Sequence, residues 1–159
     1  MAISYHGYRF RKTMNGGNAA MLNVPLVAGT YYDGMPLRIS ATSGSAEACA
    51  AGGTTVAFIM QGNVSNAHST SGKYPVYLVD DNNVFEGRML ASAAPQTRLA
   101  DLAGIAVGTT YNYRLAGTAG PFRIVGFHPD ESLSAHANCR FYFTGARSQL
   151  LGWAKLSTE

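Results

Sequence analysis

The sequence predicts an all-β, mainly antiparallel fold: a small β-barrel or sandwich with one short helix and an extended N-terminal arm. Three observations carry this. Eighteen glycines and nine tyrosines in 159 residues suit turns and pleated, half-buried surfaces, because Gly weakens a helix by about 1 kcal/mol whereas Tyr packs well on strands. Short apolar or alternating runs recur along the chain, each bounded by Gly, Asp or Asn. The plainest instance is Lys73 to Leu90, where YPVYLV and VFEGRML flank Asp80-Asp81-Asn82-Asn83. Asp and Asn tolerate left-handed backbone angles and bond their own main chain, so this stretch reads as a β-hairpin.

Taken in order, residues 1–23 mix aromatic, basic and Gly-Gly residues without a sustained period and read as an arm; residues 24–159 read as one domain. Val24 to Val27 and Met35 to Ser40 are strand candidates separated by Ala28-Gly29-Thr30 and the Asp33-Gly34 turn signal. In the second, alternation sets Leu37 and Ile39 on one face and Arg38 on the other. Thr42 to Gly53 is a small-residue loop in which Glu47 to Ala51 has the composition of one helical turn. Thr54 to Gln61 is a strand between glycines, and Asn63 to Gly72 a polar loop. After the hairpin, Ala91 to Gly104 is the helix candidate, with Pro95 suited to a first turn, Leu99 and Leu102 three apart, and Gly104 as a stop. Ile105 to Val107, Thr110 to Leu115 and Pro121 to Phe127 resume the strand pattern. A loop spans His128 to Asn138, and Arg140 to Thr144 pairs antiparallel with Phe122 to Phe127. Leu150, Leu151 and Trp153 in the tail pack on the domain or on a neighbour.

The totals fit one domain, which at this length buries roughly 70% of the surface its unfolded chain exposes. Charged residues make up 13%, against about 25% in typical domains; so little charge implies a surface covered by other protein. The net charge is +3 and the pI about 9.0, with Arg9, Arg11 and Lys12 all preceding the first acidic residue, Asp33. Beyond residue 12 the basic residues stand singly, which does not make the dense stripe that nucleic acid requires. MAISYHGYRFRK lacks an apolar core of signal-peptide length and no run of 18 apolar residues occurs, so the expectation is a soluble chain made in the cytoplasm, without a membrane partner. Cys49 and Cys139 lie outside any CxxC spacing and read as buried free thiols, with a disulfide left open.

Chemistry is sparse. No glycine-rich phosphate loop, GxSxG elbow, HExxH or calcium loop occurs, so no catalytic residue and no cofactor is assigned. His128, Asp130, Glu131 and His136 bring two imidazoles and two carboxylates into one loop, but their spacing matches no metal family, and ordinary turn chemistry is the preferred reading. Asp80 with Asp81, and Asp130 with Glu131, are adjacent carboxylates that point apart rather than facing each other as glycoside hydrolysis needs. Ser132 beside His128 or His136 lacks an oxyanion motif. The remaining candidates are partner-binding: Tyr5, Tyr8, Arg9, Phe10, Arg11 and Lys12 precede any core strand and, with Trp153, offer the aromatic and Arg anchors that dominate interfaces.

PVYLVDDNNVFEGRML, followed by ADLAGIAVG, YNYRLAG and PFRIVGFHPDES, resembles the small β-barrel decoration, or cement, proteins of tailed-bacteriophage heads. The likeness runs from about residue 24 to 145 and rests on Val84-Phe85-Glu86-Gly87, on Asp101-Leu102 and on Phe122 to Gly126. It implies a homotrimeric accessory protein on the outer surface of the virion capsid, binding the major capsid protein and clamping neighbouring subunits, with the arm reaching to the shell. The longer, basic start of this chain departs from that pattern. The rival expectation is a carbohydrate-binding or tail-fibre-type module that stacks ligands on Tyr31, Tyr32, Tyr111 and Tyr113.

Overall fold

The computed structural model describes residues 7–53, 55–67, 72–107 and 112–151. Strands dominate: β1 (Arg9–Thr13), β2 (Met21–Val24), β3 (Gly29–Tyr31), β4 (Pro36–Ile39), β5 (Ala46–Ala48), β6 (Phe58–Met60), β7 (Val64–Ala67), β8 (Tyr74–Leu78), β9 (Asn83–Arg88), β10 (Leu102–Val107), β11 (Tyr113–Ala116), β12 (Phe122–Phe127) and β13 (Arg140–Gly145). A six-stranded sheet has the order β1-β9-β13-β12-β10-β11, a five-stranded sheet β2-β8-β6-β4-β5, and β3 pairs with β7. All of these strand pairings are antiparallel, as the composition and turn spacing predict.

Both large sheets turn apolar faces into one shared core. In β12, Phe122 and Ile124 are buried while Arg123 and Val125 are exposed. In β13, Phe141 and Phe143 point in the same way, the period of two that a half-buried strand requires. Phe122 and Phe143 meet at 4.5 Å between ring centroids, and Phe85 of β9 lies 5.8 Å from Phe143. The five-stranded sheet contributes Leu37, Ile59, Met60 and Val76 to the same cluster. Gly87 of β9 makes room for the rings packed over it: a Cβ there would sit 3.0 Å from both Phe143 and Tyr8.

Four expectations are corrected. First, Lys73 to Leu90 is not a hairpin. Its two runs are strands β8 and β9, but β8 pairs with β2 and β6 and β9 with β1 and β13, so the Asp-Asn turn carries the chain from one sheet to the other. The turn chemistry is as read: the Asp80 carboxylate accepts the backbone N–H groups of Asn82 at 2.9 Å and Asn83 at 2.7 Å. Turn residues specify a reversal, not which neighbour completes the ladder.

Second, Ala91 to Gly104 is not an α-helix. Only Pro95–Arg98 coil, as a short 3-10 turn, and Leu102 already belongs to β10. Ala100 takes a left-handed φ of 69°, and its N–H donates to Ile124 O at 3.0 Å while Ile124 N–H donates to Asp101 O at 2.9 Å. The ladder beside β12 therefore overrides a local preference worth only tenths of a kcal/mol per residue. Third, of the arm expected over residues 1–23, residues 1–6 lie outside the described residues, while residues 7–23 fold back and carry two strands. β1 and β2 each form one edge of a large sheet. Fourth, Glu47 belongs to β5 rather than to a helical turn.

Candidate functional site

The expected partner-binding residues do not form one exposed strap. Tyr5 and Trp153 lie outside the described residues. Tyr8 is 2% exposed; its hydroxyl donates to Arg114 O at 2.7 Å, and its ring packs edge-on against Phe122 and Phe143. Phe10 is half-buried, stacked at 4.7 Å and 8° on Tyr77 of the other sheet. Both therefore act inside the fold. Aromatic anchors and core aromatics look alike in a sequence, and only the pairing of Phe10 with Phe85 tells them apart. Arg9, Arg11 and Lys12 remain exposed, with Arg11 3.5 Å from the Glu86 carboxylate and over the Tyr142 ring.

The platform proposed for ligand stacking is similarly reduced. Tyr31 and Tyr113 are buried, the Tyr31 hydroxyl donates to Val27 O at 2.6 Å, and Tyr111 lies outside the described residues. Asp80 is committed to its turn. Ser132 accepts the Ser134 N–H, so it serves loop geometry. The two cysteines are free and buried, as read from their spacing.

A different cluster is assembled at the root of the β12–β13 loop. Glu131 folds back so that one carboxylate oxygen, Oε1, accepts the Arg140 N–H at 3.2 Å and pairs with the Arg140 guanidinium. The other, Oε2, lies 2.5 Å from His136 Nε2. Cys139 Sγ completes a group in which one ligand atom from each of Glu131, His136 and Cys139 lies within 4.8 Å of the others. Backbone bonds fix each member. Glu131 N–H donates to His128 O at 3.0 Å, His136 exchanges two bonds with Ala93 at 3.1 and 3.2 Å, and Met89 N–H donates to Cys139 O at 2.9 Å.

The electrostatics follow from this geometry. Burial works against the Glu131 charge, but the hydrogen bonds from Arg140 and His136 outweigh it and hold the carboxyl below its usual range. The Ser134 carbonyl and then Glu131 raise His136, because both ring nitrogens face acceptors. Burial, aided by the nearby Glu131 charge, pushes the Cys139 thiol up to about 11. Two of the four loop residues considered from sequence, Glu131 and His136, thus come together. His128 turns instead to the Asp130 N–H, its Nδ1 lying 3.2 Å from that nitrogen, and Asp130 is exposed. Cys139 was missed as a member, although its position three residues after His136 was the available signal.

Compared with known proteins, the chain matches no family model, no curated protein and no solved structure. Among the described residues, no helix is long and apolar enough to cross a membrane.

Proposed function

We propose that this protein is a virion structural protein that decorates the outer surface of a capsid, a cement protein binding the major capsid protein and acting as a homotrimer. The observation that carries the reading is the continuous segment from Arg9 to Val24. It supplies one edge strand to each large sheet, and along it Arg9 and Lys12 are exposed, as are Met14, Met21 and Leu22 at 59%, 41% and 49%. An outer strand offers a row of backbone donors and acceptors to another chain. Exposed apolar side chains along it add burial worth about 25 cal/mol per Å². In this reading the docking elements are two sheet-edge strands already ordered in the fold rather than a free strap, so less entropy is lost on binding. Three such edges in a trimer would act in concert, raising avidity about 100-fold over one.

The test is co-sedimentation of the purified protein with shells assembled from the major capsid protein of the genome that encodes it. Wild type is expected to pellet with shells, and the double variant Met21→Lys with Leu22→Lys to bind at least about tenfold more weakly, a loss of about 1.4 kcal/mol. Wild type remaining in the supernatant at all concentrations would remove the proposal. Glycan binding by the free protein would favour the ligand module instead.

A further inference from the structure

The segment ESLSAHANCR, from Glu131 to Arg140, delivers a carboxylate, an imidazole and a thiol within nine positions, and the fold turns all three onto one point. That convergence has features which an incidental cluster lacks. His136 Nδ1 lies 2.8 Å from Ser134 O. With one proton held there by a backbone carbonyl, Nε2 is the nitrogen that faces Glu131 Oε2 at 2.5 Å, and it becomes a metal donor once the proton the two groups share has left; a backbone partner on Nδ1 is the arrangement that fixes the tautomer of a metal-bound histidine. Arg140 occupies Glu131 Oε1, so only Oε2 faces His136 and the ligand mode is monodentate. Cys139 follows Asn138, whose left-handed φ of 58° turns the chain so that the thiol points inward, where it is buried.

We propose that Glu131 Oε2, His136 Nε2 and Cys139 Sγ hold one divalent cation of the zinc class, with water completing a tetrahedral set. The donor types argue for zinc over calcium or magnesium, which take oxygen ligands, because a thiolate and an imidazole suit a borderline-soft ion. The His136 side chain is partly exposed, so the ion loads from solvent. Loading releases to water the Cys139 thiol proton and the proton shared between His136 and Glu131; no electron moves. The bound ion would couple the β12–β13 loop to the segment at Ala93 and Met89, which already holds His136 and Cys139 through the backbone. This role is structural and is independent of capsid binding.

The rival account is an ion pair alone, with Glu131 bridging His136 and Arg140 and no affinity for metal. Cobalt(II) distinguishes the two. Full-length protein stripped with a chelator is titrated with cobalt(II) and separately with zinc(II), following absorption, heat and thermal unfolding. The expected result is a stoichiometric thiolate-to-cobalt charge-transfer band that zinc displaces, with a rise in unfolding temperature on zinc binding. Changing a residue that merely orients a ligand costs about 10- to 100-fold in metal affinity. His136→Gln is therefore expected to lose at least about 100-fold, and Cys139→Ser to lose the band. His136→Gln alters a partly exposed side chain and serves if Cys139→Ser fails to fold. A wild-type protein giving no charge-transfer band and no zinc-dependent stabilisation would overturn the site, as would zinc affinity in His136→Gln within twofold of wild type.

Discussion

Asn83 shows how much one side chain carries here. It is fully buried; its amide nitrogen donates to Ala20 O at 3.0 Å and Leu78 O at 2.9 Å, and its amide oxygen accepts the Ala20 N–H at 3.2 Å. The start of β9 is thereby tied to the end of β8 and the entry to β2. Asn83→Ala strands these backbone groups away from water and is expected to cost about 3 kcal/mol, read as a lower denaturant midpoint at unchanged slope. Tyr8 and Cys49 give a second residue-scale expectation. Desolvation, reinforced by repulsion from Cys49 and Tyr113, raises Tyr8 above its ordinary value of 10.0. Desolvation also raises Cys49 above 9.0, with Glu47 adding to it and Arg38 opposing. Unfolded chains ionise at those ordinary values while the folded protein resists. The associated stability is therefore intact below about pH 9 and declines as pH rises further, by up to about 1.4 kcal/mol per pH unit per group. Denaturation midpoints from pH 8 to 11 should fall, and should fall less steeply in Tyr8→Phe; a flat wild-type profile would contradict the burial of these groups. From the sequence, Tyr8 looked like an anchor for a partner, since its neighbour is distant: its N–H donates to Gly34 O at 2.9 Å, a contact no local pattern encodes.

At the scale of elements, the legible strands were those whose own alternation is strong. β12 and β13 were found with their pairing, because Phe122, Ile124, Phe141 and Phe143 mark matching faces and Ile124 sits opposite Phe143. β3, β5 and β7 have three or four residues each, too few to display a period, and their strand character comes from the partner. The 91–104 segment failed for a related reason: its alanines permit a helix, but the neighbouring strand demands extension. Ala100 bears the cost, since a left-handed alanine is strained by about 1–2 kcal/mol. Ala100 is also exposed, so no packing is at stake. Ala100→Gly should raise stability by up to about 1 kcal/mol after the entropy of the unfolded glycine is counted. A lowered melting temperature would show that the backbone there is not what limits the turn.

For the molecule as a whole, the all-β class followed from composition and turn spacing, whereas the division of strands between sheets did not, because a turn specifies a reversal and not its consequence. The proposed docking at the outer strands would separate binding from folding. Met21 and Leu22 are exposed, so lysines there should shift folding stability by less than about 0.5 kcal/mol while impairing shell binding. A stability loss of several kcal/mol would mean that these side chains serve the core. The mass of the free protein is expected to correspond to three chains, and a monomer at every concentration would remove the trimer. The order β1-β9-β13-β12 also sets a timetable for synthesis. The strand that sits between β9 and β12 is made after both, so a growing polypeptide on the ribosome holds two halves of a sheet with the middle missing. Until β13 emerges, Phe85 and Ile124 lack Phe143, the partner they share, and the gap is open to strands from other nascent chains. Pauses in translation after residue 127 should therefore lower the soluble yield more than pauses before residue 73.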